Sequence, residues 1–224
     1  MRKFAVIGLG RFGQRLAAAL TMSEAEVIAI DQNREIVEQM RDQVSLAVRL
    51  DSTDEDALRA QGVDKVDVAI VGIGQGGRSF ESSILTVVNL KAMGVPLVYA
   101  RAETLIQGQV LSKVGATEVI YPEIESAQRW AYKLITPQIT DKLDFAPGYS
   151  IASMRAPESF NNKTVMDLQL RQKYSVNLVS IKRGKKSGFA DEIINVPLAE
   201  TIIFQDDILM IAGSDGDLAR LPRE

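Results

Sequence analysis

The 224-residue sequence contains no cysteine. It therefore builds no disulfide framework, no thiol nucleophile and no cysteine-based metal site. Histidine is absent as well. That removes the commonest general base and the commonest metal ligand. The 26 basic and 29 acidic residues leave a net charge of −3, which implies no general affinity for nucleic acid. No apolar stretch approaches the ~20 residues needed to span a membrane. The N-terminus runs straight into a strand pattern, so no signal peptide is expected, and the chain is expected in the cytoplasm. Composition is otherwise that of an ordinary globular protein, long enough for one large domain or two modest ones.

What is present is concentrated in the first 31 residues. Lys3 to Gly8 is an apolar, β-forming run that ends at glycine. Gly8-Leu9-Gly10-Arg11-Phe12-Gly13 follows as a full G-x-G-x-x-G. Arg15 to Met22 is a good helix former, and a second apolar run from Glu26 to Ile30 ends at Asp31. Strand, glycine turn, helix, strand and acid make up a dinucleotide-binding unit. Gly8 permits the tight turn, Gly10 lets backbone approach a pyrophosphate, and Gly13 lets helix and strand pack closely. Free N–H groups at the helix start face the phosphates. Asp31 stands where a carboxylate would accept hydrogen bonds from ribose hydroxyls, which argues against a 2′-phosphate. Arg11 has no packing purpose inside the turn and suits a terminal phosphate.

Strands and helices then alternate. Helices are expected at Asn33 to Arg41, Glu55 to Gln61, Ser79 to Met93 and Leu105 to Val114. Strands are expected at Val44 to Leu50, Val66 to Val71, Leu97 to Ala100 and Thr117 to Ile120. Ile84, Leu85, Val88 and Ala92 share a helical register in the third of those helices. Gly72 to Gly77 reads as a flexible loop at a strand's C-terminal end. The pattern predicts an α/β fold, a Rossmann-like doubly wound parallel sheet. Glu123 to Thr136 predicts a crossover helix, with Pro122 at its start and Ile124, Ala127, Ala131, Leu134 and Ile135 on one face. No parallel strand follows it, so its apolar face is available for a partner subunit, the alternative being a helix packed on its own sheet. The first lobe is placed at residues 1–136 and a linker at 137–148. A smaller α+β C-terminal lobe is placed at 149–224, with strands at Tyr149 to Arg155, Val176 to Lys182, Thr201 to Phe204 and Ile208 to Ala212. Short helices near Asp167 to Arg171 and Asp217 to Leu221 and a basic turn at Arg183 to Gly188 complete it.

The run F-A-V-I-G-L-G-R-F-G from Phe4 to Gly13 closely resembles the start of the regulatory subunits of bacterial Ktr potassium-uptake systems. Those belong to the regulators of potassium conductance (RCK domain proteins), a group that includes TrkA proteins. The resemblance continues through Ile30 to Asn33, Asp51 to Asp54, Gly115 to Thr117 and Tyr121 to Glu123. It covers the whole chain, because one nucleotide lobe plus one C-terminal ligand lobe fits the length. TrkA proteins usually carry that pair twice, so the Ktr type is the nearer match.

The resemblance implies a dimer that assembles into an octameric ring beneath a membrane potassium channel or transporter subunit, at the inner face of the cell membrane. It implies ATP or ADP in the N-lobe, or NAD(H), at Gly8, Gly10, Arg11, Phe12, Gly13, Asp31, Gln32 and Gly72. Arg11 matches an arginine associated with terminal phosphates across the dimer. Asp51 and Ser52 match positions near the adenine, and Arg101 one near the phosphates. Glu123 matches a glutamate associated with Mg²⁺ or Ca²⁺. Cyclic di-AMP in the C-lobe, as in some Firmicute members, would meet Val165, Arg171, Asn177 and Pro197.

Taken without the family, several of these residues carry plainer roles. Asp51 to Asp54 works as a helix cap, and Glu123 complements a helix N-terminus. Arg183, Lys185 and Lys186 suit a solvated turn, and Arg171 suits a surface charge. Two functions compete. One is a ligand-gated regulatory subunit, and the other is an NAD-dependent oxidoreductase. Hydride transfer usually needs a positioned proton donor, and here only Lys, Tyr or a carboxylate remains. The regulator is the favoured reading, and the chain is expected not to be an enzyme.

Overall fold

A computed structural model describes residues 2–74, 79–184 and 192–222. The chain divides into two compact units, Met1–Ser126 and Ala127–Glu224.

The strands of the first unit are β1 (Lys3–Ile7), β2 (Glu26–Asp31), β3 (Leu46–Arg49), β4 (Val68–Val71), β5 (Leu97–Arg101) and β6 (Glu118–Ile120). They form a six-stranded parallel sheet in the order β3-β2-β1-β4-β5-β6. The helices are α1 (Arg11–Met22), α2 (Arg34–Met40), α3 (Glu55–Ala60), α4 (Ser79–Ala92) and α5 (Leu105–Lys113). Successive strand side chains point to opposite faces, so each strand feeds two cores. Val6, Ala29 and Ile70 join one cluster, and Ile7, Ile30 and Val71 join the other. Every residue of β4 is buried, as a central parallel strand covered on both faces requires. Asn33, Asp54 and Thr104 cap α2, α3 and α5 by accepting from backbone N–H groups of their first turns.

Two expectations need correction here. The first helix starts at Arg11, four residues before the expected Arg15, because extended Gly10 acts as its N-cap within the turn. In α4 the buried positions are Ser83, Thr86, Val87 and Leu90, whereas Leu85 and Val88 are exposed. Buried hydroxyls with partners of their own allow the helix to turn that face inward.

Helix α6 (Pro122–Ile135) begins in the first unit and ends in the second. It buries none of its residues, and Trp130, Leu134 and Ile135 are 53%, 75% and 69% exposed.

The longer strands of the second unit are β7 (Ile139–Ala146), β8 (Tyr149–Arg155), β10 (Asn177–Lys182) and β13 (Ile208–Ser214). With the short β11 (Ile193–Ile194) they form an antiparallel sheet in the order β11-β10-β13-β8-β7. A small pair, β9 (Lys163–Thr164) with β12 (Ile202–Ile203), lies apart. Helices α7 (Val165–Leu168), α8 (Leu170–Tyr174) and α9 (Asp215–Ala219) complete it. Its core gathers Met154, Phe160, Ile181, Leu209 and Ile211.

The expected linker at 137–148 is overturned, because β7 pairs with β8 along most of that segment. It is an edge strand that buries only Ile139, so its pattern carries no apolar alternation. Pro147 and left-handed Gly148 form its turn. The single helix expected near 167–171 is two, split by left-handed Gln169. The last helix, α9, starts at Asp215, capped by Ser214, and not at Asp217. Of the basic turn, Arg183 and Gly184 are described, while Lys185, Lys186 and Gly188 lie outside the described residues, as do Gln75 to Gly77 of the expected loop. Arg183 pairs with fully buried Asp207 at 2.7 Å, and Asp207 also accepts from the Phe204 and Gly184 N–H groups. No helix among the described residues is long and apolar enough to cross a membrane.

Candidate functional site

The glycine turn after β1 has the geometry its spacing predicts. Gly8 is left-handed at φ 90°, and a Cβ there would lie 2.6 Å from the Ile73 nitrogen. A Cβ on Gly13 would lie 2.0 Å from the Gly8 carbonyl oxygen, so only glycine lets α1 pack this close to the turn. Gly10 is the contrast, since a Cβ there would meet nothing within 4 Å. That open side is where a pyrophosphate can reach backbone. The first turn of α1 has no acidic residue and no side-chain cap. Its unsatisfied N–H groups therefore favour an anion. Arg11 is exposed on this turn and makes no hydrogen bond or ion pair among the described residues. Phe12 is half-buried, near Gly72 and against the core beneath α1.

Asp31 ends β2 and is held from two sides. Its Oδ2 accepts from Leu9 N–H at 2.7 Å and its Oδ1 accepts from Asn33 N–H at 2.8 Å. The carboxylate thus fastens the glycine turn to β2, and each oxygen keeps a further lone pair for a ribose hydroxyl.

Above the ends of β1, β2 and β4 lies a cavity of about 270 Å³, with Gly8, Asp31, Gln32, Ser52 and Ile73 in its wall. It sits where the strand order reverses, the place at which open α/β sheets bind ligands. Ser52 is buried and its hydroxyl pairs with that of Thr86 at 2.8 Å. Asp51 is not in the cavity wall itself, although it interacts with Gln32, which is. It accepts from the Thr53 N–H and hydroxyl, and these bonds, the N–H first, hold its carboxyl below the usual range. The true cap of α3 is Asp54. So the cap expected in the 51–54 turn is Asp54, whereas Ser52 lies in the cavity wall.

A second cavity, about 420 Å³, lies beside Gly74 and contains Arg101, Glu103 and Gln107 in its wall. The Arg101 guanidinium is 2.7 Å from Glu123 and 3.6 Å from Glu103, and its Nε is buried without a partner. Glu123 therefore faces a cation supplied by its own chain. Among the described residues no group of three acidic residues stands close enough to hold a metal ion. The donors of one chain do not fit a resident Mg²⁺ or Ca²⁺ at Glu123.

In the second unit, Val165, Arg171 and Pro197 line one cavity of about 360 Å³. Asn177 is exposed at the start of β10 and lies outside that wall. Sequence reasoning missed Ile73, Ser79 and Ser82 in the first cavity and Gln169 in the third. Nothing in their local pattern marks them.

Fold and site define a two-lobed α/β protein with a pocket of the dinucleotide-binding type at the switch point of its parallel sheet. The TrkA-N domain model matches residues 4–122, and the TrkA-C domain model matches residues 151–223. The chain belongs to the TrkA-N/TrkA-C family of Ktr-type potassium-uptake proteins. It is 37% identical to Ktr system potassium uptake protein C of Bacillus subtilis (strain 168), covering 99% of this chain and 96% of that one. It is 31% identical to Ktr system potassium uptake protein A of the same organism, covering 100% and 96%. The crystal structure of the GsuK RCK domain superposes with a TM-score of 0.63 at 18% identity, over 98% of this chain. This chain spans 46% of that longer one, and the likeness shows the shared fold.

Proposed function

We propose that the chain is the cytosolic regulatory subunit of a membrane potassium channel or transporter, acting at the inner face of the cell membrane. ATP and ADP compete for the N-lobe, and their exchange shifts the conformation of an oligomeric ring. The observation that carries this reading is the unpaired Arg11 beside the open backbone of Gly10. The turn's N–H groups hold inner phosphates common to ATP and ADP, so they shift no equilibrium between states. A guanidinium reaching outward senses the additional phosphate. NAD(H) is the other occupant compatible with Asp31. The kinship with potassium-uptake proteins favours this reading over the NAD-dependent oxidoreductase.

The building unit is a homodimer formed through the apolar face of α6. Exposed Leu85, Val88, Leu105 and Ile106 on α4 and α5 supply a further face for assembly into an octamer. The C-lobe cavity at Val165, Arg171 and Pro197 is the place for cyclic di-AMP. The test pairs titrations of wild type and Arg11→Ala with ATP and ADP, together with potassium flux through the reconstituted complex. The variant loses about 1.5–3 kcal/mol of ATP affinity, the worth of a hydrogen bond to a charged group, and keeps its ADP affinity. Equal losses for both nucleotides make Arg11 a general phosphate contact, and retained ATP activation removes it from the switch.

A further inference from the structure

Helix α5 carries a glycine in its middle, where that residue is the poorest helix former after proline. Gly108 is buried, and Leu111 continues the same inward face one turn further along. Leu105 and Ile106, in the first turn, are exposed. A Cβ on Gly108 would lie 2.6 Å from Cζ and 3.1 Å from Cε1 of Tyr121, and closer still to its hydroxyl oxygen. The phenol occupies the place a side chain would take. Gly108 is therefore a socket, and its cost to α5 is explained by a ring that arrives from beyond β6.

Tyr121 is the residue between the end of β6 and the start of α6. Its ring packs, partly buried, against the core of the first unit. Its N–H donates to Glu125 Oε1 at 3.2 Å, and its carbonyl accepts from the Glu125 N–H at 3.0 Å. Next along the chain, Pro122 has a fixed φ, and Glu123 pairs with the Arg101 guanidinium at 2.7 Å. The first turn of α6 is thus tied to α5 by one aromatic ring and to β5 by one ion pair. The Glu123 side chain is 65% exposed, so that ion pair restrains position weakly. The ring rests on helix backbone, which does not yield.

We propose that the Tyr121–Gly108 contact sets the angle between α5 and the first turn of α6, and so couples the two faces through which the protein assembles. The proposal rests on the assembly reading given above, with α6 in the dimer contact and Leu105 and Ile106 in the larger oligomer. A ring closes only when every subunit repeats the same angle between its two contact faces. That angle is fixed where the two helices are joined. Tyr121 and Gly108 touch no ligand in this scheme and are positioning residues.

The experiment is light scattering on the full-length protein across a concentration series, with thermal melting of each variant alongside. Wild type forms the larger oligomer. Gly108→Ala folds, and needs at least about tenfold more protein to pass beyond the dimer, which corresponds to about 1.4 kcal/mol. In Gly108→Ala/Tyr121→Leu the shorter side chain makes room for the new methyl group, and assembly recovers. If Tyr121 swings aside freely, Gly108→Ala instead melts higher, because alanine is the better helix former, and assembles as wild type does. That result overturns the proposal, as does a double variant that assembles no better than Gly108→Ala. If Gly108→Ala does not fold, Tyr121→Leu alone empties the socket, and unchanged assembly there overturns the proposal equally. A wild type that never passes beyond a dimer refutes the assembly reading and this proposal with it. A wild-type ring with an unaffected Gly108→Ala refutes the proposal alone.

Discussion

Asp31→Ala removes a fold contact and a ligand contact with one substitution, and the two effects separate experimentally. The carboxylate accepts from Leu9 N–H at 2.7 Å and from Asn33 N–H at 2.8 Å. Hydrogen bonds to a charged group contribute about 1.5–3 kcal/mol each. Asp31 is half-buried, so water replaces part of what either donor loses. The expected loss in the ligand-free protein is therefore about 2 kcal/mol, less than two full bonds. Loss of the ribose contacts adds a fall of about 1–3 kcal/mol in ATP and ADP affinity. Asp31→Asn is intermediate in stability, because its amide oxygen accepts from one N–H while its NH₂ confronts the other. Urea unfolding followed by circular dichroism reads the first effect. Circular dichroism is preferred because the one tryptophan, Trp130, belongs to the second unit. Calorimetry on the folded variant reads the second. An unchanged urea midpoint for Asp31→Ala refutes the fastening of turn to strand, and an unchanged dissociation constant refutes the ribose role.

Gly13→Ala forces a Cβ to within 2.0 Å of the Gly8 carbonyl oxygen, so α1 must move off β1. The expected cost is about 1–3 kcal/mol or more by urea unfolding, with loss of nucleotide binding. Asp207→Ala strands the buried Arg183 guanidinium and the Phe204 N–H, and lowers the stability of the second unit by about 3–5 kcal/mol. Trp130 fluorescence during urea unfolding checks that value. In acid, Asp144, Asp167 and Asp217 sit below their ordinary pKa of 3.8, held there first by bonds from Lys142, Thr164 and Ser214 respectively. Carboxyls depressed in the folded state stabilise above the unfolded pKa and lose that contribution as pH falls through the folded one. These three contributions are therefore constant near neutrality and are lost as pH falls below about 3.8, as circular dichroism across an acid titration will report.

The sequence by itself determined the parallel sheet and the glycine turn at the heart of the candidate site. Both depend on short-range physics. A glycine with positive φ at Gly8, an acid at the end of β2 and the apolar run along β1 are all written within the first 31 residues. The caps Asn33, Asp54 and Thr104 likewise act on their own first turns. The tertiary structure decided everything that depends on a distant partner. An edge strand such as β7 buries one face weakly and so shows no apolar period, and only its pairing with β8 reveals it. The inward face of α4 depends on a hydroxyl of Ser52, 34 residues away, meeting Thr86. Glu123 has an ion-pair partner only because β5 brings Arg101 to it across 22 residues of chain. Local propensity and periodicity are properties of a window of sequence, whereas the partner of a buried polar group exists only once the chain has folded back on itself.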